Sequence, residues 1–168
     1  MKAMVIYCSH TGITERIARR IAADFACPIL KVEPDVVYGS FLSACKRVVS
    51  DRLKKQLPGA VTETPQLEGF DTIFIGYPIW AGDMPDFMQS FLQRCALSGK
   101  RIIPFATFRM TDIAASLDTL AALCPGAEIL DPFNYGIMHR ERYADWLEMV
   151  RADCAERDME ARWDAEAE

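Results

Sequence analysis

The sequence predicts an α/β fold in which a parallel sheet is covered by helices on both faces, and three observations carry the prediction. Apolar, β-branched runs alternate with helix-patterned segments along the whole of the 168 residues. The strand-like runs are continuous where a half-exposed strand would alternate polar and apolar, which marks strands buried on both faces. Parallel strands joined through helices take right-handed crossovers, and these distribute the helices over both sides of the sheet. A single domain over residues 1–168 accounts for the length.

The elements follow in order. Ala3 to Cys8 is the first strand, and Thr14 to Phe25 sets Ile17, Ala18, Ile21, Ala22 and Phe25 at helical spacing. After the turn at Cys27-Pro28, Ile29 to Val32 forms a short second strand, which Glu33-Pro34-Asp35 ends because proline donates no ladder hydrogen bond. Phe41 to Leu57 is helical in pattern and is read as an insertion over about residues 40–57. Its Lys46, Arg47, Arg52, Lys54 and Lys55 against Asp51 form either a solvated face or a surface for an anion or partner. Asp71 to Gly76 is the third strand, and a helix over Asp86 to Leu97 starts after Pro85. Arg101 to Thr107 is the fourth strand, Thr111 to Leu123 the fourth helix, and Ala127 to Leu130 the fifth strand after the Pro125-Gly126 turn. A last helix runs from about Arg140.

Composition narrows the function classes. Six cysteines lie scattered with no C-x-x-C pair, and His10 and His139 have no metal-ligand spacing, so reduced thiols and no metal centre are expected. No apolar stretch approaches the roughly 20 residues of a membrane span, and the N-terminus reads as strand, not signal peptide. Residues 152–168 hold seven acids against two arginines, equal to the whole net charge of −5, and read as a solvated helix end. No basic stripe with interleaved aromatics suggests nucleic acid. A cytoplasmic protein is expected.

Two loops carry the chemistry. Ser9-His10-Thr11-Gly12-Ile13-Thr14 lies at a strand-to-helix turn, where unpaired backbone N–H groups and the helix dipole attract an anion. Ser9, Thr11 and Thr14 add neutral hydroxyls, and Gly12 lets the backbone approach closely. Without a Lys or Arg in the loop, and without the Walker pattern, a monophosphate suits it better than a triphosphate. Cys8 beneath the loop is either buried filler or a thiolate favoured by the dipole. The second loop, Gly76 to Pro85, places Trp80 in a connection, where it either packs over the following helix or stacks on a ligand. Gly82 offers the backbone freedom that a planar redox ring would demand, while Tyr77 and Pro78 set the exit from the sheet.

These residues resemble a known family. Ser9 to Thr14 is similar to the flavodoxin phosphate loop [ST]-x-T-G-x-T, and Gly76 to Pro85 to its G-Y-P-I-W-x-G-x-M-P loop. Gly99 to Phe105 and Leu123 to Ala127 resemble the bacterial flavodoxin-like subgroup that adds a helix after the second strand. The resemblance implies a five-stranded sheet of order 2-1-3-4-5 that binds FMN. It implies the phosphate at Ser9, His10, Thr11, Gly12, Ile13 and Thr14, and the flavin ring against Pro78, Ile79, Trp80, Ala81 and Gly82 and the loop from Thr107. In that last loop the subgroup carries T-x-G-G-S-G, whereas this chain reads Thr107-Phe108-Arg109-Met110-Thr111-Asp112. Phe108 either stacks on the ring or enters the core, and Arg109 either faces the flavin N1 and O2 atoms or points to solvent.

The resemblance implies redox chemistry performed by the flavin itself, with no catalytic side chain required. Two versions follow: an electron carrier between protein partners, and a small reductase joining a nicotinamide donor to a planar acceptor. Residues 1–151 balance to zero charge, which leans toward the reductase, because carriers dock basic partners through acidic surfaces. The alternative is a non-redox binding or regulatory module whose altered 107–112 loop no longer binds FMN. A receiver domain is excluded, since no acidic pair follows the first strand and no acceptor aspartate ends the third. The sequence does not specify an oligomeric state.

Overall fold

The computed structural model describes residues 1–54, 58–108, 113–136 and 142–167. Strand β1 (Ala3–Tyr7) leads to helix α1 (Ile13–Asp24), and strand β2 (Ile29–Lys31) to helix α2 (Phe41–Lys54). Strand β3 (Thr72–Pro78), helix α3 (Asp86–Leu92), strand β4 (Arg101–Phe108) and helix α4 (Ala114–Leu123) follow. Strands β5 (Glu128–Ile129) and β6 (Phe133–Gly136) and helix α5 (Tyr143–Ala167) complete the chain. The strand order is β2-β1-β3-β4-β5, all pairs are parallel, and β6 also pairs with β4. The doubly wound order expected from the sequence is the observed one.

Strand periodicity builds two cores. Met4, Ile6, Ile73, Ile75, Tyr77, Ile102 and Ala106 point to one face, where Phe87, Met88, Phe91 and Leu92 of α3, Leu120 of α4 and Val48 of α2 close over them. Ala3, Val5, Tyr7, Phe74, Ile103 and Phe105 point to the other, under Ile17, Ala18 and Ile21 of α1 and Trp146, Val150 and Cys154 of α5. Only a glycine fits at position 76 of β3, since a Cβ there would lie 2.0 Å from the Phe105 ring.

The fifth strand differs from expectation, being split in two. Glu128 and Leu130 donate to the carbonyls of Lys100 and Ile102. In the same alternation the next two rungs need N–H groups from Pro104 and Pro132, and neither has one. The chain steps out of the ladder and re-enters with Phe133 opposite Phe105. Helix α3 is also shorter than expected. It ends at Leu92 because Arg94 and Cys95 tighten into three-residue turns on Phe91 and Leu92. Helix α4 is described from Ala114 and α5 from Tyr143, while the expected starts at Thr111 and Arg140 lie outside the described residues.

Candidate functional site

The loops after β1 and β3 meet the end of β4 at the carboxyl end of the sheet, the usual ligand position of an open α/β sheet. Thr107, the next-to-last residue of β4, joins them. Its carbonyl accepts the Ile79 N–H at 2.9 Å, and its hydroxyl lies 2.8 Å from the Thr14 hydroxyl, both threonines being buried. Thr14 therefore braces the first loop against β4.

The rest of the first loop is open. Gly12 is the N-cap of α1 with φ of 83°, and no side chain caps the helix. Ser9 accepts the Gly12 N–H at 3.2 Å. The N–H groups of Thr11, Ile13, Thr14 and Glu15 have no hydrogen-bond partner among the described residues. Thr11, Gly12 and Ile13 are exposed, Ser9 and His10 partly so, and a Cβ on Gly12 would meet nothing. This is a cluster of converging donors at a positive helix end, ready for an anion. Burial pushes the Cys8 thiol up, so of its two sequence readings the geometry matches buried filler.

The second loop folds back on itself. Trp80 and Asp83 exchange both backbone hydrogen bonds, at 2.8 and 3.1 Å, around Ala81 with φ of 49° and Gly82 with φ of 84°. Two positive φ values make this a two-residue type I′ turn, in which Ala81 is a strained non-glycine. Asp83 accepts from the Met84 N–H and from Thr119 of α4, which pins the turn to its neighbours. The exposed tip is Ala81, with N–H groups of Ala81 and Gly82 that have no partner among the described residues.

Trp80 turns inward and is 2% exposed. Its ring meets Tyr38 at 4.9 Å, His10 at 5.7 Å and Phe87 at 6.2 Å between centroids. Pro78 is partly buried at the exit from β3, and Ile79 is in the core. Phe108 also enters the core at 9% exposure, its ring filling the place of a side chain at Gly136. Arg109 and the rest of that loop through Asp112 lie outside the described residues, as do Lys55 and His139. Behind the site, Tyr77 and Ser116 share a buried hydrogen bond of 3.1 Å that locks β3 to α4. Burial raises the Tyr77 hydroxyl, and the Asp83 carboxylate adds to that against the Ser116 hydrogen bond.

Sequence reasoning missed Tyr38, Arg16 and Tyr135. Tyr38 stands alone after β2, and no spacing ties it to Trp80. Arg16 lies one turn into α1 and donates to the Tyr135 hydroxyl at 3.3 Å, but Tyr135 sits on the unanticipated β6. A larger hollow of about 550 Å³ opens at the amino ends of the strands, beside Cys95 and Lys100. The Lys100 ammonium there already serves the Leu67 and Phe70 carbonyls. Burial pushes the Cys95 thiol up to about 11. The hollow is therefore apart from the loops that bring donors together. Among the described residues no cluster of side chains could hold a metal, and no helix is long and apolar enough to cross a membrane.

The sequence matches the flavodoxin family over residues 2–150. No curated protein matches it. A candidate flavoprotein of Bacteroides uniformis superposes with a TM-score of 0.74 at 28% identity, covering 88% of this chain and 97% of that one. One from Bacteroides eggerthii gives 0.73 at 26% identity, with 89% and 98% covered. A flavoprotein of Lactobacillus acidophilus solved in complex with FMN shares the fold at a TM-score of 0.66 and 17% identity, with 79% and 91% covered.

Proposed function

The chain belongs to the flavodoxin family, and on that premise we propose that it binds FMN and works as a small flavin-dependent reductase on planar acceptors. The observation that carries the cofactor reading is the uncapped α1 N-terminus, with open N–H donors at Thr11, Ile13, Thr14 and Glu15 and no side chain or Cβ in the way. Those donors fit a phosphate monoester, and the free N–H groups of Ala81 and Gly82 fit the polar edge of a flavin ring. The residues present therefore suit the group. FMN supplies electron or hydride transfer when bound. The protein's part is to hold the phosphate at Ser9 to Thr14, fix the ring edge at the 81–82 turn, and keep both loops in register through Thr107.

The burial of both candidate stacking residues favours a reductase over a carrier. Trp80 and Phe108 belong to the core, and Ala81 is the side chain at the turn tip, so no described aromatic side chain covers the ring position on that side. An uncovered ring face accepts a planar donor or acceptor by stacking, which suits a nicotinamide and a quinone-like compound. Near-neutral charge over residues 1–151 supports the same reading, as does a cytoplasmic setting for the free thiols of Cys8, Cys27, Cys95, Cys124 and Cys154.

A visible absorption spectrum followed by FMN titration of the apoprotein tests the proposal. Yellow protein, or saturable one-to-one quenching of flavin fluorescence, is the expected result. No binding at high micromolar FMN would leave a flavodoxin fold acting as a non-redox module.

A further inference from the structure

The turn that presents the Ala81 and Gly82 N–H groups is not the one its sequence favours. A type I′ turn takes Asn, Asp or Gly at its first central position, whereas Ala81 stands there with φ of 49°. Ala-Gly is the natural pair of a type II turn, in which only the second central residue has positive φ. A strained residue persists only where its surroundings over-determine it. The two backbone hydrogen bonds between Trp80 and Asp83 are local to the turn. Constraint from outside must therefore enter through the two residues at its base.

Trp80 is held by burial, and Asp83 by its carboxylate. One oxygen, Oδ1, accepts the N–H of fully buried Met84 at 2.7 Å, and Oδ2 accepts the Thr119 hydroxyl at 2.9 Å. The Met84 carbonyl in turn accepts from the Gln89 side chain of α3 at 3.0 Å. Among the described residues Thr119 is the one side chain that donates to Asp83, and it comes from α4, 36 positions along the chain. Helix α4 is itself fixed. Ser116, three residues before Thr119 and on the same face, is fully buried and donates to the Ile113 carbonyl, so it accepts from the Tyr77 hydroxyl of β3. Two hydroxyls one turn apart thus tie α4 to β3 and to the turn that follows it.

We infer that Thr119, which belongs to neither loop, is a positioning residue for the flavin ring: through the Asp83 carboxylate it holds the 80–83 turn in its strained form and so keeps the Ala81 and Gly82 N–H groups in place. The inference rests on the FMN reading for its functional part. Its structural part, the hold on the turn, is a property of the flavin-free protein. A residue that positions the ring acts alike on FMN and riboflavin, whereas the phosphate loop acts on FMN alone.

The test combines fluorescence titrations of the apoprotein with FMN and with riboflavin, and amide exchange of the flavin-free, ¹⁵N-labelled protein. Thr119→Val removes the hydroxyl at nearly constant shape and should weaken both flavins by the same factor, about tenfold. Thr119→Ser keeps the hydroxyl and should bind both as the parent does. Ala81→Gly placed in the Thr119→Val protein should recover most of the loss, because glycine needs no support at positive φ. A hydroxyl that served only the packing of α4 would not respond to a change at position 81. Without flavin, exchange of the Trp80 and Asp83 N–H groups that close the turn should quicken in Thr119→Val and return to the parental rate in Thr119→Ser. Parental affinity of Thr119→Val for both flavins would overturn the proposal, as would a loss confined to FMN or one that Ala81→Gly leaves in place. If the parent binds neither flavin, the cofactor reading fails on its own, and the exchange rates still decide the hold on the turn: unchanged rates at 80 and 83 would overturn it.

Discussion

At the scale of single residues, the site is organised by groups whose roles are structural. Thr107 holds one loop through its carbonyl and another through its hydroxyl, so its contribution appears first as stability. Thr14→Val leaves the Thr107 hydroxyl buried and unsatisfied, and should cost about 1–3 kcal/mol in urea unfolding. Replacing both threonines by valine should recover part of that loss, because neither hydroxyl is then left alone. Equal, additive losses would deny the bond. Trp80 follows the same logic. The indole is part of the core, so Trp80→Ala should lower stability by about 3–5 kcal/mol. A Trp80→Ala variant as stable as the parent would return the indole to the surface and to the role of a stacking wall.

At the scale of elements, the sequence made most of the sheet legible because buried parallel strands are continuous apolar runs. β1, β3 and β4 lie within two residues of their expected bounds for that reason. The split of the fifth strand was unreadable by hydrophobic pattern, since it follows from Pro104 on β4 opposite Pro132 between β5 and β6 and is visible only once the register is known. The phosphate loop was legible from its hydroxyls and glycine, but Thr14's bond to a residue 93 positions away was not. Trp80 was legible as unusual, while its inward direction depends on Tyr38 and Phe87, which sequence spacing does not bring together. The open end of α1 yields a prediction of opposite signs. Thr11→Asp sets a carboxylate beside uncapped donors and should stabilise the flavin-free protein by about 0.3–1 kcal/mol. The same carboxylate should weaken FMN binding at least tenfold and riboflavin binding far less, because only FMN brings a phosphate. Equal losses for the two ligands would remove the phosphate from this loop.

At the scale of the whole molecule, the two ends of the sheet have separate tasks: the carboxyl ends gather the donors, and the amino ends are stitched together by charge. The N-terminal ammonium reaches Asp158 of α5 at 2.7 Å, and Arg101 of β4 reaches both Asp158 and Asp71 at 2.9 Å. The ammonium hydrogen bond, with help from Arg101, holds the Asp158 carboxyl below its usual range. Burial acts against the ionised form of Asp71, but hydrogen bonds from Thr72, the Lys2 N–H and Arg101 outweigh it and keep its carboxyl low as well. A carboxylate depressed on folding stabilises the protein above its unfolded pKa, about 3.9 for Asp, and loses that contribution as the pH falls through its folded value. Asp158 is partly exposed, so screening limits its contribution to about 1 kcal/mol. Asp158→Asn should therefore lower the melting temperature by about 2–4 °C at pH 7. In calorimetric scans at decreasing pH the gap between variant and parent should narrow below about pH 4 and close once Asp158 is protonated in both states. Salt should narrow it at pH 7 for the same electrostatic reason. A gap that stayed constant with both pH and salt would show that α5 is held to the sheet by packing alone.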